Sequence, residues 1–268
     1  LKLGIISDLH VDTNQSETDP IERALLKVIK ESDIDVLLIA GDLADNYQRG
    51  LAVIQHIEDA GCRVVFVAGN HDIWNIDFPQ INNTAEIIAQ LKEHPGCLID
   101  HPIALTDDVV MIGDIGWYDY TYGFGKYTDA YYDAGHHFER EWKDNYYVNF
   151  NMSHIEKTED TIARLAKQIA AYPDKKIIFV THVVTHEDFL LTKETEYHDF
   201  INGYIGSSKY QALFNDNVEH VIMAHVHLRK NLTENGINYL CRCLGTKKSW
   251  NTDDAETEIK DALAIIEI

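Results

Sequence analysis

Apolar and polar positions fall into blocks along this chain. Apolar, β-rich runs stand at 2–7, 34–40, 63–68, 109–115, 176–181, 218–224, 237–244 and 262–267. Several are almost continuously hydrophobic, as strands covered on both faces are. Between them lie segments whose apolar residues recur at three and four, which predicts helices. "DPIERALLKVIKES" opens with Asp19 as a cap and Pro20 in the first turn. "RGLAVIQHIEDAG" ends on a glycine cap, and "TEDTIARLAKQIAAYPD" starts on a threonine capping pattern and stops before proline. "SSKYQALFND" is a shorter helical candidate. The N-terminal order is βαβαβ, which predicts parallel strands joined by crossover helices. The last two runs, "GINYLCRCLG" and "DALAIIEI", show no helical pattern between them, so part of the sheet system is expected to be antiparallel.

One stretch breaks the rhythm. Residues 116–150 hold eight of the fourteen tyrosines and have no clean period. An aromatic, glycine-containing excursion between core strands has the character of a functional loop or lid. No repeat or linker divides the chain, so residues 1–268 are expected to form one domain carrying this insertion.

Composition narrows the picture. With 268 residues, 45% hydrophobic and 25% charged, the chain has the make-up of a soluble globular protein with a sizeable core. Its formal charge of −21 disfavours nucleic acid as a partner. No run is long enough for a membrane helix. The first strand begins at residue 1, and a cytoplasmic location is the expectation. Four cysteines, Cys62, Cys97, Cys241 and Cys243, read as buried, reduced thiols. Cys241 and Cys243 alternate and so share one face of a strand.

The chemistry sits where the apolar runs stop. Asp8 and His10 follow the first, Asp42 and Asp45 the second, and Asn70, His71 and Asp72 the third. His182 follows a later run, and His225 and His227 the next. Ligands in open α/β sheets gather beyond the carboxyl ends of strands. Imidazole, carboxylate and amide oxygen together suit Mn, Fe, Zn, Co or Ni better than a thiolate zinc site. Seven ligands drawn from these ten groups are too many for one tetrahedral ion and fit two ions sharing a carboxylate. Asp72 either supports the ligands or caps the next segment. His186 and His198 read as surface residues, and His136 and His137 as loop residues with a lesser claim on substrate.

"DLH", "GDLAD", "GNHD", "TH" and "AHVH", in this order and each after an apolar strand, resemble the calcineurin-like metallophosphoesterases. The resemblance spans residues 8 to 227. It implies two mixed β-sheets packed together and flanked by helices. It implies one metal held by Asp8, His10 and His227, a second by Asn70, His182 and His225, and Asp42 as the bridge. His71 would face the substrate without binding metal, and Asp45 would orient it. The implied activity is hydrolysis of a phosphate mono- or diester by in-line attack of a metal-bridging hydroxide, with a small phosphorylated substrate, nucleotides included. Two other outcomes stand beside it: a nucleotide pyrophosphohydrolase, and a catalytically silent interaction scaffold on the same fold. Ala224 stands where the family usually has glycine before its last His-x-His. "ADNYQRG" lacks the arginine with which the family's phosphoprotein phosphatases grip phosphate, so phosphoserine substrates are disfavoured.

Overall fold

The computed structural model describes residues 1–14, 21–78, 80–193 and 195–268. The capping signals at Asp19 and Pro20 lie outside the described residues. The N-terminal third runs β1 (Lys2–Ile6), α1 (Ile21–Ser32), β2 (Val36–Ala40), α2 (Tyr47–Asp59), β3 (Arg63–Val67) and α3 (Thr84–Leu91). The middle runs β4 (Ile103–Ala104), β5 (Val109–Asp114), α4 (Asp129–Asp133), β6 (His136–His137), β7 (Arg140–Glu141), α5 (Asp144–Tyr147) and α6 (His154–Ala170). The last part runs β8 (Lys176–Thr181), α7 (Glu196–Asn202), β9 (Val218–Met223), β10 (Arg229–Glu234), β11 (Ile237–Arg242), α8 (Ala255–Ala262) and β12 (Ala264–Glu267).

Two mixed sheets carry the fold. One has the order β12-β1-β2-β3 and the other β10-β11-β9-β8-β5-β4. The crossover strands β1, β2 and β3 are parallel, as are β5, β8, β9 and β11. Among the described residues, antiparallel pairing joins β12 to β1, β10 to β11, β4 to β5 and the strands of the small hairpin β6–β7. The period of two along a strand explains the packing. In β2, Val36, Leu38 and Ala40 join a core shared with Ile112, Phe179 and Val221 of the other sheet. Leu37 and Ile39 point the other way, into the core formed with α1 and α2. Both faces of the strand are dry, which is why the run carries no polar alternation.

The expected two-sheet α/β architecture is the one observed, with differences at particular elements. α8 stands between the last two runs, where no helix was expected. Four of its eight residues are charged, and Ala255, Ile259 and Ala262 supply its thin apolar stripe. β10 is polar apart from Leu232 and lies on a sheet edge, paired to β11 through Asn235 and Gly236, both at positive φ. α6 begins a turn before the threonine pattern, because Ser153 and Glu156 form a reciprocal capping box. The 208–213 candidate is a 3₁₀ turn.

Candidate metal centre

The strand ends turn sharply. Asp8, His10, Asp42, His225 and His227 all have positive φ, between 40° and 72°. That region costs energy for a residue with a side chain, so its concentration at five chemical positions marks a built site. Two glycines make the approach feasible. Gly41 has φ +90°, and a Cβ there would stand 2.6 Å from the Gly69 nitrogen and the His182 ring. A Cβ on Gly69 would collide with the Asp42 carboxylate. The glycines of "GDLAD" and "GNHD" therefore let the loops after β2 and β3 touch.

The side chains converge in two groups. Asp8, His10 and His227 form one: His10 Nε2 lies 3.2 Å from His227 Nε2, which lies 3.5 Å from Asp8 Oδ1. The other holds Asn70, His182 and His225: His182 Nε2 lies 3.2 Å from both Asn70 Oδ1 and His225 Nδ1. Asp42 Oδ2 stands between them, 3.6 Å from His10 Nε2 and 3.3 Å from His182 Nε2. The His182 Nδ1–H donates to the Ala40 carbonyl at 2.9 Å, which turns Nε2 toward the group. Burial opposes the Asp42 charge, but His182 and His71 outweigh it and hold the carboxyl well below its usual range. His182 is disfavoured as a cation by burial, yet Asp42 raises it to about 10. His225 is driven down to about 3 by burial and by His182, so it is a neutral lone-pair donor.

His71 stays outside both groups. Its Nδ1 is 2.6 Å from Asp45 Oδ1, its backbone N–H donates to Asp42 Oδ1, and its ring stacks on Trp74 at 3.8 Å. Burial works against its charge, but Asp42 and Asp45 prevail and raise it to about 9. Asp72 has a different task. Its carboxylate accepts the backbone N–H groups of Asp42, Leu43, Ala44 and Gly69. It thereby ties the β2 and β3 loops together and supports the ligands without joining them. Removing it orphans four buried donors, so Asp72→Ala is expected to cost about 3 kcal/mol or more of stability, read as a lowered urea midpoint.

The aromatic excursion reaches the centre through Asp144, which is 1% exposed. Asp144 Oδ1 accepts from Asn70 Nδ2 at 2.8 Å and Trp74 Nε1 at 2.7 Å, and Oδ2 from Tyr118 and Trp142. By holding the Asn70 amide nitrogen it turns Oδ1 toward His182. The sequence reading passed over Asp144; its only signal was an acid among indoles and phenols. Asp144→Asn puts an amide N–H against these donors, and metal affinity is expected to fall about 10–100-fold in a metal titration. A cleft of about 490 Å³ opens over the centre, lined by Asp42, Asn70, His71, His225 and His227 on one side. Glu141, Trp142, Lys143 and Asp144 of the excursion and Leu191, Tyr197, Ile201 and Ile205 line the rest.

The family model for calcineurin-like phosphoesterases matches residues 1–229. The chain belongs to the calcineurin-like phosphoesterase family. The phosphopantetheinyl hydrolase of Mycobacterium tuberculosis superposes with a TM-score of 0.72 at 16% identity, covering 99% of this chain and 95% of that one. The protein TT1561 of Thermus thermophilus gives 0.56 at 14% identity, with 98% and 97% covered. A dimetal phosphatase from Danio rerio gives 0.51 at 12% identity, with 90% and 86% covered. A search of the curated proteins found no match.

Metals of the kind this family uses fit the donor set. Atoms bound about 2.1 Å from one ion stand about 3.0–3.4 Å apart, close to the 3.2–3.6 Å separations here. Asp8 Oδ1 is buried with no hydrogen-bond partner among the described residues, a cost that a cation would remove. Other histidines fall elsewhere. His186, expected at the surface, is 6% exposed, caps the 187–189 turn and meets Glu234. His136 is exposed, and His137 stacks on Phe200; neither lines the cleft. Half of the excursion's eight tyrosines are core: Tyr118, Tyr120, Tyr122 and Tyr132 are buried, and Tyr132 stacks between Tyr120 and Phe200. Cys241 and Cys243 share a face as expected, with sulfurs 3.5 Å apart. Among the described residues no helix is long and apolar enough to cross a membrane.

Proposed function

We propose that this chain is a two-metal phosphohydrolase acting on a small phosphate mono- or diester. The observation that carries the reading is Asp42 Oδ2, which faces both donor groups at once. Asp8, His10 and His227 would hold one ion, Asn70, His182 and His225 the other, and Asp42 both. Bound divalent ions supply charge neutralisation at phosphoryl oxygens and water of lowered pKa.

The chain's own residues do the rest. His71 overlooks the cleft with Nδ1 held by Asp45, so Nε2 is the nitrogen free to meet a leaving oxygen. Asp45 fixes the ring's direction and stabilises its protonated form. Trp74 packs on the ring and keeps it from swinging. Segment 116–150 contributes to substrate choice through Glu141–Asp144 at the cleft wall. The scaffold alternative needs a missing ligand or a missing substrate-facing histidine, and neither is missing.

A panel tests the reading. The Mn-loaded protein is assayed on p-nitrophenyl phosphate, bis(p-nitrophenyl) phosphate, nucleoside monophosphates, nucleotide anhydrides and a phosphopantetheinyl ester. Ester turnover with about two metals per chain is the expected result. Metal-loaded protein with no ester turnover supports the scaffold, and turnover confined to anhydrides supports the pyrophosphohydrolase.

A further inference from the structure

The cleft over the metal centre does not end at its own wall. A second depression of about 580 Å³ lies beside it, and Tyr197 belongs to the lining of both. Each is of the size that holds a small-molecule group, so a short phosphorylated alcohol would occupy one and leave the other unused. Leu191, Ile201 and Ile205 give the cleft an apolar stretch of lining. The far depression sets the charged groups of Glu139, Arg140 and Glu196 among apolar surface from Phe138 and the Tyr197 ring. Arg140 lies with its guanidinium 3.9 Å above the Tyr197 ring. Stacking fixes the plane of the guanidinium and leaves its N–H edge available.

One feature marks this depression as a binding place and not only a packing contact. Arg140 forms no ion pair among the described residues, although Glu139 and Glu196 line the same depression. The two glutamates set the sign of what fits. A carboxylate or phosphate end would meet like charge, whereas a neutral carbonyl can accept from Arg140 without repulsion.

We propose that this depression is a second substrate subsite, holding the uncharged, acceptor-bearing end of an elongated phosphoester whose apolar stem crosses Leu191, Ile201 and Ile205. The end group is of the amide or carbonyl class, and Arg140 is its donor. The proposal rests on the phosphohydrolase reading for the position of the phosphate and names the substrate class that reading left open.

The test measures binding. Non-hydrolysable alkylphosphonates of graded stem length, ending in a carboxamide, a carboxylate or a methyl group, are titrated calorimetrically into the metal-loaded protein. The carboxamide is expected to bind about ten-fold tighter than the methyl end, and only beyond a threshold length. Arg140→Ala is expected to bring the two to within about two-fold, with the folded state checked by circular dichroism. Arg140→Lys, which keeps the charge and loses the planar edge, is expected to recover only part of the preference. Affinity independent of stem length overturns the proposal, as does an amide preference that survives Arg140→Ala. A carboxylate end tighter than the amide overturns the assignment of a neutral group. Turnover of p-nitrophenyl phosphate by the same preparation is read separately. Its absence counts against the phosphohydrolase, while the titrations still decide the subsite.

Discussion

Asp42→Asn is expected to strip the centre of at least one ion and to lower kcat/KM by about a thousand-fold or more. The substitution keeps the shape and removes the charge. In the native protein Asp42 Oδ2 faces His10 and His182 together, while Oδ1 accepts the His71 N–H. An amide cannot do both: if its oxygen serves the backbone, its NH₂ is aimed at two cations. Six of the seven proposed ligands would remain, yet the shared carboxylate that would offset repulsion between adjacent cations would be gone. Elemental analysis of the purified variant, beside its turnover of p-nitrophenyl phosphate, checks this. A variant with both ions and ordinary turnover would refute the shared position.

His71→Ala is expected to separate chemistry from metal binding. His71 belongs to neither donor group and is held by Asp45 and Trp74, so the metal content should stay at the wild-type level. The rate on an alkyl ester is expected to fall about 10²–10⁴-fold, because an alkoxide needs the proton. The rate on a p-nitrophenyl ester should fall far less, since that anion leaves unaided. Comparing kcat on the two esters at equal metal loading decides the role. Equal losses would mean that His71 positions phosphate and does not protonate the leaving oxygen. Asp45→Asn should give a weaker version of the same leaving-group dependence.

Much of the centre was legible because its signals are local. Each motif is an apolar run followed within a few residues by ligand-type side chains, and strand ends are where such groups can meet. The two glycines and the five positive-φ positions explain why "GDLAD", "GNHD" and "AHVH" hold their residues at fixed spacing. Asp144 was not legible, because its role exists only when residue 144 is brought to Asn70 across the fold. Asp72 could be seen but not assigned, since its partners come from two loops. The polar β10 escaped because an edge strand needs few apolar residues, although Asn235–Gly236 is the dipeptide of a tight hairpin.

The sequence by itself determined the long apolar strands, the order of the candidate ligands and the family, since hydrophobic period and strand-end chemistry are set by neighbours in the chain. Tertiary structure supplied the distances at which the candidate donors meet, with Asp42 Oδ2 facing both groups, and it brought Asp144 onto Asn70. It also divided the aromatic excursion into a buried tyrosine core and a short stretch, Glu141–Asp144, on the cleft wall. Those outcomes depend on contacts between residues tens to hundreds of positions apart, and side-chain periodicity carries no information about such distances.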